Sequence, residues 1–406
     1  MNRDKQKAEI EKIRSGLNKR AENMSDEDAF SFIEDYVFSD ESFRGTTTEE
    51  KAAFITRAFC SIRCRLGILQ PLVDDESISE IMVNGRKKIF VEQNGRIRKL
   101  DEYFDTTAEL EEIIRRIAAA VHREINEMNP IVDARLSDGS RVNAVYKNVA
   151  LGGPVLTIRK FPKTAVTMER LIESGTVTKE AAEFLKLLVE SGYNIFVSGG
   201  TSTGKTTFLN ILSEYIPATE RVIVIEDSAE LQLRNVENLV RMECRNANVT
   251  GKGAVSMADL IKSSLRMRPD RIIVGEVRGG EVLDMIQAMN TGHDGSLCTG
   301  HANSVRGMMK RLEAMFLQAA SFPDSAIRSQ IAEGIDIVVH LGRLSDKKRR
   351  VLEISEVTGI GESGEIAINT LFRYSPGRGL LRTKNRMRNT IKLEFAGKTL
   401  TEFAAD

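Results

Sequence analysis

Residues 199–206 read Gly-Gly-Thr-Ser-Thr-Gly-Lys-Thr, an unbroken GxxxxGK[ST] loop, and the apolar run 194–197 before it has the character of the strand such a loop must leave. Few short motifs constrain a fold more, because the loop needs a strand behind it, a helix ahead of it and a parallel sheet around both. The glycines let successive backbone N–H groups turn toward one centre, Lys205 can reach the β- and γ-phosphates, and the Thr206 hydroxyl can hold Mg²⁺. The following helix, through Phe208, Leu209, Ile211 and Leu212, aims its partially positive N-terminus at the same phosphates. Gly200, Thr201, Ser202, Thr203, Gly204, Lys205, Thr206 and Thr207 are therefore the expected nucleotide contacts, with ATP and Mg²⁺ as ligands.

A phosphate cradle alone does not hydrolyse ATP, which also needs a carboxylate to place Mg²⁺ or water and positive charge for the transition state. Two apolar strands end in acids: Val222-Ile-Val-Ile-Glu226-Asp227, continuing to Glu230, and Arg271-Ile-Ile-Val-Gly275-Glu276. A parallel sheet delivers the carboxyl ends of its strands to one crevice, so both clusters are expected at the loop. Glu226, Asp227 and Glu230 are alternatives for the catalytic carboxylate, and Glu276 is the expected partner of the metal. Residues 291–303 hold two of only four histidines, His293 and His301. Their spacing of eight suits no helical metal pair, so a hydrogen-bonding role beside the crevice is expected instead. His122, at the end of a helix, and His340, in a strand-like run, read as structural. For positive charge, Arg141 and Arg159 lie on strands of a preceding domain and Arg278 follows Glu276 closely. An arginine delivered from another domain or subunit would couple closure around ATP to domain motion.

A chain of 406 residues predicts two or three domains. Residues 1–66 are charged and helical in pattern, a small appendage. Residues 67–160 mix short strands with one amphipathic helix carrying Leu110, Ile113, Ile114, Ile117, Val121 and Ile125, which predicts a compact α+β domain. Residues 161–190 read as a linker and the first helix of the core, and 191–360 as a RecA-like P-loop ATPase domain. Strands are expected there at 194–198, 221–225, 239–242, 271–274 and 295–299, and 361–406 reads as a basic, poorly patterned tail. The fold class is thus α/β: a RecA-like P-loop ATPase core preceded by a smaller α+β N-domain and an N-terminal helical appendage.

Lysine plus arginine equals aspartate plus glutamate at 58 each, and aromatic residues are 6%, so no nucleic-acid partner is expected. Charge is uneven locally, with nine acids in 24–50 and seven bases without an acid in 373–392. Four scattered cysteines fit a reducing compartment. The charged first twenty residues lack the apolar stretch of a secretory signal, and no long uncharged apolar run follows. Any membrane connection is expected to run through partners.

The set GGTSTGKTT at 199–207, IEDSAEL at 225–231, RMRPDRIIVGEVRG at 266–279 and TGHDGSLCTGHANS at 291–304 closely resembles the type II/type IV secretion ATPase superfamily. These stretches are similar to its Walker A motif, Asp box, Walker B motif and His box, in that order. Upstream, PLVDDESISEIMVNG at 71–85, NPIVDARLSDGSRVNAV at 129–145 and GPVLTIRKF at 153–161 resemble the CpaF branch, the ATPases of tight-adherence (Tad) pilus assembly. One departure stands out: Gly275 occupies the place before Glu276 where Walker B strands usually carry aspartate. The resemblance implies a cytoplasmic homo-hexamer at the inner face of the membrane, driving pilus assembly or secretion through an inner-membrane platform protein. It further implies Glu226 as catalytic carboxylate, Glu276 as Walker B acid, His293 and His301 as coupling residues, and Arg141 and Arg159 as a positive clamp. A RecA-like nucleic-acid motor and a nucleotide-sensing scaffold without turnover are the competing classes.

Overall fold

The structure is a computed structural model and describes residues 3–18, 24–93, 95–161, 166–245, 247, 252–346 and 348–400. It divides into two compact units, 1–165 and 166–406.

The first unit carries two cores. Helices α1 (Arg3–Asn18), α2 (Asp26–Ser39) and α3 (Thr48–Arg63) bury Ile13, Ile33, Val37, Phe43 and Phe54 among themselves. A Thr47–Glu50 capping box opens α3, satisfying its first N–H groups reciprocally. After α4 (Gln70–Asp74) come β1 (Ile78–Asn84), β2 (Ile89–Gln93), β3 (Arg96–Lys99), α5 (Thr107–Ala120), β4 (Ile131–Arg135), β5 (Arg141–Val145) and β6 (Val155–Arg159). The strands form one antiparallel sheet in the order β3-β2-β1-β6-β5-β4. The apolar stripe of α5, with Leu110, Ile113, Ile114 and Ile117, is buried in the same core as Ile81, Val83, Leu156 and Ile158 of the sheet. The stripe predicts a helix as far as Ile125, yet α5 stops at Ala120. His122, at φ +55°, donates its N–H to Ala119 O, and Arg123 N–H bonds back to Ala118 O, a left-handed stop built on histidine where glycine is usual. His122 is thus an exposed helix-terminating residue.

The second unit opens with α6 (Met168–Glu173) and α7 (Lys179–Glu190), so an ordered helix lies where the sequence predicts a linker; Pro162 falls outside the described residues. There follow β7 (Ile195–Gly199), α8 (Lys205–Ser213), β8 (Val222–Glu226), β9 (Leu239–Glu243), α9 (Met257–Ser264) and β10 (Arg271–Val277). Next are α10 (Val282–Asn290), β11 (Leu297–His301), α11 (Val305–Ala319), α12 (Asp324–Gly334), β12 (Ile337–Arg343), β13 (Arg349–Ile360), β14 (Ile366–Ser375), β15 (Gly379–Arg382) and α13 (Ile391–Phe395). Nine strands make one sheet, β15-β14-β13-β12-β7-β11-β10-β8-β9. From β12 to β9 all pairings are parallel; β13, β14 and β15 extend the sheet antiparallel. Strands β7 and β8 are buried along their full length, as expected where helices cover both faces. One apolar core holds Leu185, Leu188, Phe208 and Leu212; the other holds Met285, Leu312, Phe316 and Ile331.

The expected basic tail is a correction: 366–382 forms two strands, and 388–392 is fastened to the sheet by buried acids. Glu356, 1% exposed, accepts the backbone N–H groups of Arg388 and Asn389, and Asp336 accepts Lys392 Nζ at 2.6 Å and the Asn194 N–H at 2.8 Å. Lys392, the last base of the run, is therefore paired with a carboxylate distant in sequence. No described helix is long and apolar enough to cross a membrane.

Candidate nucleotide site

The loop 200–204 leaves the carboxyl end of β7, with β11 and β12 on either side, so Gly199 lies level with His301 and Leu341. A Cβ at Gly199 would stand 2.6 Å from Leu341 O, so only glycine allows this approach. Ser202 at φ +59° and Gly204 at φ +92° twist the loop into alternating backbone hands, the geometry that turns successive N–H groups to one side. No side chain caps α8, leaving its first N–H groups for an anion. Thr203 Oγ1 donates to Gly200 O within the loop at 2.9 Å; Thr201, Ser202 and Thr207 are exposed and Thr206 half-buried.

Lys205 is buried, donating to Gly200 O at 3.0 Å and to His301 Nδ1 at 3.2 Å. Burial draws its pKa below the ordinary lysine value, against the opposing pull of Glu276. His301 sits lower than an ordinary histidine because it is desolvated and faces the Lys205 charge. A neutral ring accepting from Lys205 at Nδ1 carries its proton on Nε2, which stands 2.8 Å from Glu276 Oε1. The approach is too oblique for a hydrogen bond, so Glu276 Oε1 is buried without a donor. Its other oxygen accepts Arg278 Nη2 at 3.1 Å, and Arg278 Nη1 lies 3.6 Å from Asp227. Lys205, His301, Glu276, Arg278 and Asp227 thus stand in one polar row along the carboxyl ends of β7, β11, β10 and β8, bonded on either side of the close approach between His301 and Glu276.

An orphaned buried carboxylate oxygen beside a phosphate loop fits a hydrated divalent cation, which supplies the missing positive partner. Glu276 and Thr206 would hold it.

Glu226, 3% exposed, ends β8 next to β10. Its Oε1 accepts the N–H groups of Glu230 at 2.7 Å and Leu231 at 2.9 Å, which orders 227–231; Oε2 lies 3.9 Å from Arg241. Burial raises its pKa above the usual carboxylate value, the two N–H bonds opposing. Gly275 now has a reason: a Cβ there would meet Glu226 Cγ at 3.0 Å. Gly275→Ala should displace the Glu226 carboxylate and lower kcat about tenfold with ADP affinity unchanged, because sub-ångström misplacement of a catalytic group costs rate rather than binding. Steady-state phosphate release and ADP titration check this, and unaltered kcat would remove Glu226 from the chemistry.

His293 is not brought to the loop. It precedes β11, at the edge opposite the carboxyl ends, with Nδ1 3.2 Å from Ala288 O, and its neighbour Asp294 pairs with Lys392 at 2.6 Å. The equal spacing of two histidines hid that one strand separates them. Arg141 and Arg159 belong to the first unit and are brought together: they pair directly across β5 and β6, with Arg135 paired to Arg141 on β4, so three arginines stand in one row. The Arg135 guanidinium lies over the Phe161 ring at 5.9 Å. Sequence reasoning also missed Thr299, whose buried hydroxyl donates to Gly275 O at 2.6 Å, and gave His340 no place at the loop, although its Nδ1 lies 3.2 Å from Ser198 Oγ. No local pattern marks either one.

A model of the family described as "Type II/IV secretion system protein" matches residues 64–376. The chain is 33% identical over 295 residues to a putative conjugal transfer protein of Mycobacterium tuberculosis, covering 71% of this chain and 83% of that one. It is 33% identical over 290 residues to the conjugal transfer protein TrbB of Rhizobium radiobacter, with 71% and 86% covered. The type IV secretion system protein PtlH of Bordetella pertussis is 32% identical over 320 residues, with 72% and 94% covered. Among solved structures, the ATPase DotB of Legionella pneumophila superposes with a TM-score of 0.52 at 20% identity, covering 73% and 80%. The pilus retraction motor PilT with bound ADP superposes with a TM-score of 0.53 at 20% identity, covering 81% and 86%. These likenesses in fold agree with a smaller N-terminal domain ahead of a P-loop ATPase domain. The chain belongs to the type II/type IV secretion ATPase superfamily.

Proposed function

We propose that this protein is a motor ATPase that hydrolyses ATP to ADP and phosphate and couples the step to motion of its first unit against its second, powering Tad-type pilus assembly or a related secretion machine. The observation that carries the reading is the row of Lys205, His301 and Glu276 beside an intact phosphate loop. Lys205 exchanges its contacts with Gly200 O and His301 for the β- and γ-phosphates. Glu226, desolvated and correspondingly basic, orients the attacking water and accepts its proton. A magnesium ion held by Glu276 and Thr206 would neutralise phosphate charge. Arg141 and Arg159 supply the positive clamp, and His301 relays occupancy of the loop to Glu276. The working form is a homo-hexamer on the cytoplasmic face of the inner membrane, attached through a platform protein.

Glu276→Gln, with the intact chain as reference, tests this reading. Phosphate release from Mg-ATP should fall about a hundredfold, since a metal-placing carboxylate contributes chiefly to the transition state. Binding of a fluorescent ADP analogue should survive. Turnover in Glu276→Gln equal to that of the intact chain would sink the assignment, and turnover of the intact chain that depends on single-stranded DNA would replace a pilus motor with a nucleic-acid motor.

A further inference from the structure

One hairpin of the second unit approaches β7 and the phosphate loop at four residues, Ser198, Gly199, Ser202 and Gly204. On β12, His340 Nδ1 meets Ser198 Oγ at 3.2 Å, and Leu341 O lies 2.6 Å from the position a Cβ of Gly199 would take. On β13, Arg349 Nε donates to Ser202 O at 3.2 Å, and Arg349 Cδ stands 3.4 Å from the position a Cβ of Gly204 would take. Arg349 is the first residue of β13 and pairs in register with Arg343, the last of β12, so it stands at the end of the hairpin ladder. Beyond that pair, Leu344 N–H donates to Lys348 O, and Lys348 N–H to Asp346 Oδ1.

The loop needs such support at Ser202. Only three non-glycine residues adopt positive φ among the described ones, and Ser202, at φ +59°, is the one inside the phosphate cradle. A side chain in the left-handed region is strained, and strain persists only where surrounding contacts over-determine it. The bond from a permanently charged guanidinium to the Ser202 carbonyl is the contact that does so here, and it fixes the peptide unit between Ser202 and Thr203.

We propose that the β12–β13 hairpin is a clamp that sets the shape of the phosphate loop, with Arg349 as the positioning residue that holds Ser202 left-handed and so pre-aims the loop amides at a nucleoside di- or triphosphate. The inference rests on the nucleotide reading above and adds a residue outside every motif of that reading. The mechanism is a hydrogen bond rather than direct attraction of phosphate. Glutamine, whose Nε2 stands at the same reach along the side chain as arginine Nε, therefore replaces it, whereas alanine does not.

The test is titration of a fluorescent ADP analogue into the full chain, Arg349→Ala and Arg349→Gln, with melting temperatures alongside. Arg349→Ala should weaken binding about tenfold, the loss of one charge-assisted bond that pre-organises the site. Arg349→Gln should stay within about threefold of the intact chain, since the donor remains without the charge. The melting temperatures should agree, because Arg349 is exposed and outside the cores. Equal affinity in Arg349→Ala would overturn the clamp while leaving the nucleotide reading standing. Glutamine as weak as alanine would overturn it in favour of direct charge on phosphate, and a loss of affinity that tracks a lowered melting temperature would overturn it in favour of general stability. Absence of saturable binding in the intact chain would overturn clamp and nucleotide reading together.

Discussion

Lys205→Ala should abolish measurable ATP binding, with Kd rising at least a hundredfold. The ammonium sits buried at the head of α8, held by Gly200 O and His301, and nothing else within the loop carries positive charge. Two charge-assisted hydrogen bonds to phosphate, at roughly 1.5–3 kcal/mol each, are lost together, which converts to at least two orders of magnitude in affinity. The fold should survive, because deletion removes a desolvated cation rather than stranding one, and the Leu209 and Leu212 face of α8 stays packed. Calorimetric titration with ATP, paired with a thermal melt in the absence of nucleotide, measures both halves. An affinity within threefold of the intact chain would mean that phosphates do not reach this lysine.

Glu226→Gln should separate binding from chemistry. Glutamine preserves the shape and still offers an oxygen to the N–H groups of Glu230 and Leu231, so the Asp-box segment keeps its conformation. What disappears is the desolvated carboxylate able to take a proton from water. Losing a general base costs about 10²–10⁴ in rate, so single-turnover phosphate release should fall by that range while ADP affinity moves less than about threefold. Asp227, exposed and facing Arg278, is the next candidate. Full activity in Glu226→Gln with loss in Asp227→Asn would transfer the role.

The central part of the fold was readable because its strands are buried on both faces and so appear as unbroken apolar runs, as at 195–197, 222–225 and 272–274. The carboxyl-end rule then places Glu226, Glu276 and His301 at the same edge of the sheet as the loop without further information. It could not place His293, because a residue at the opposite end of the same strand carries no different local signature.

Beyond 360 the pattern failed for a different reason. Strand β14 is half-buried over most of its length and shows neither alternation nor an apolar run. The segment after it is tied down by Glu356, which accepts the backbone N–H groups of Arg388 and Asn389, and by Asp336, which pairs with Lys392, contacts 32 to 56 residues away in sequence, so only the folded chain shows that it is not a solvated tail. β3 is likewise exposed throughout as an edge strand and reads as loop. At the site, Arg349, His340 and Thr299 act through the backbone or hydroxyls of other strands. Side chains of that kind follow from pairing register, which a single sequence does not encode in any window.

The measurement that bears most directly on the nucleotide cradle is steady-state phosphate release from Mg-ATP by the intact chain, Lys205→Ala and Glu226→Gln, with analogue binding followed on the same samples. Only the intact chain is expected to turn over, and Glu226→Gln alone of the two variants is expected to bind. Turnover by Lys205→Ala at the rate of the intact chain would contradict the assignment of 199–206 as the site of hydrolysis.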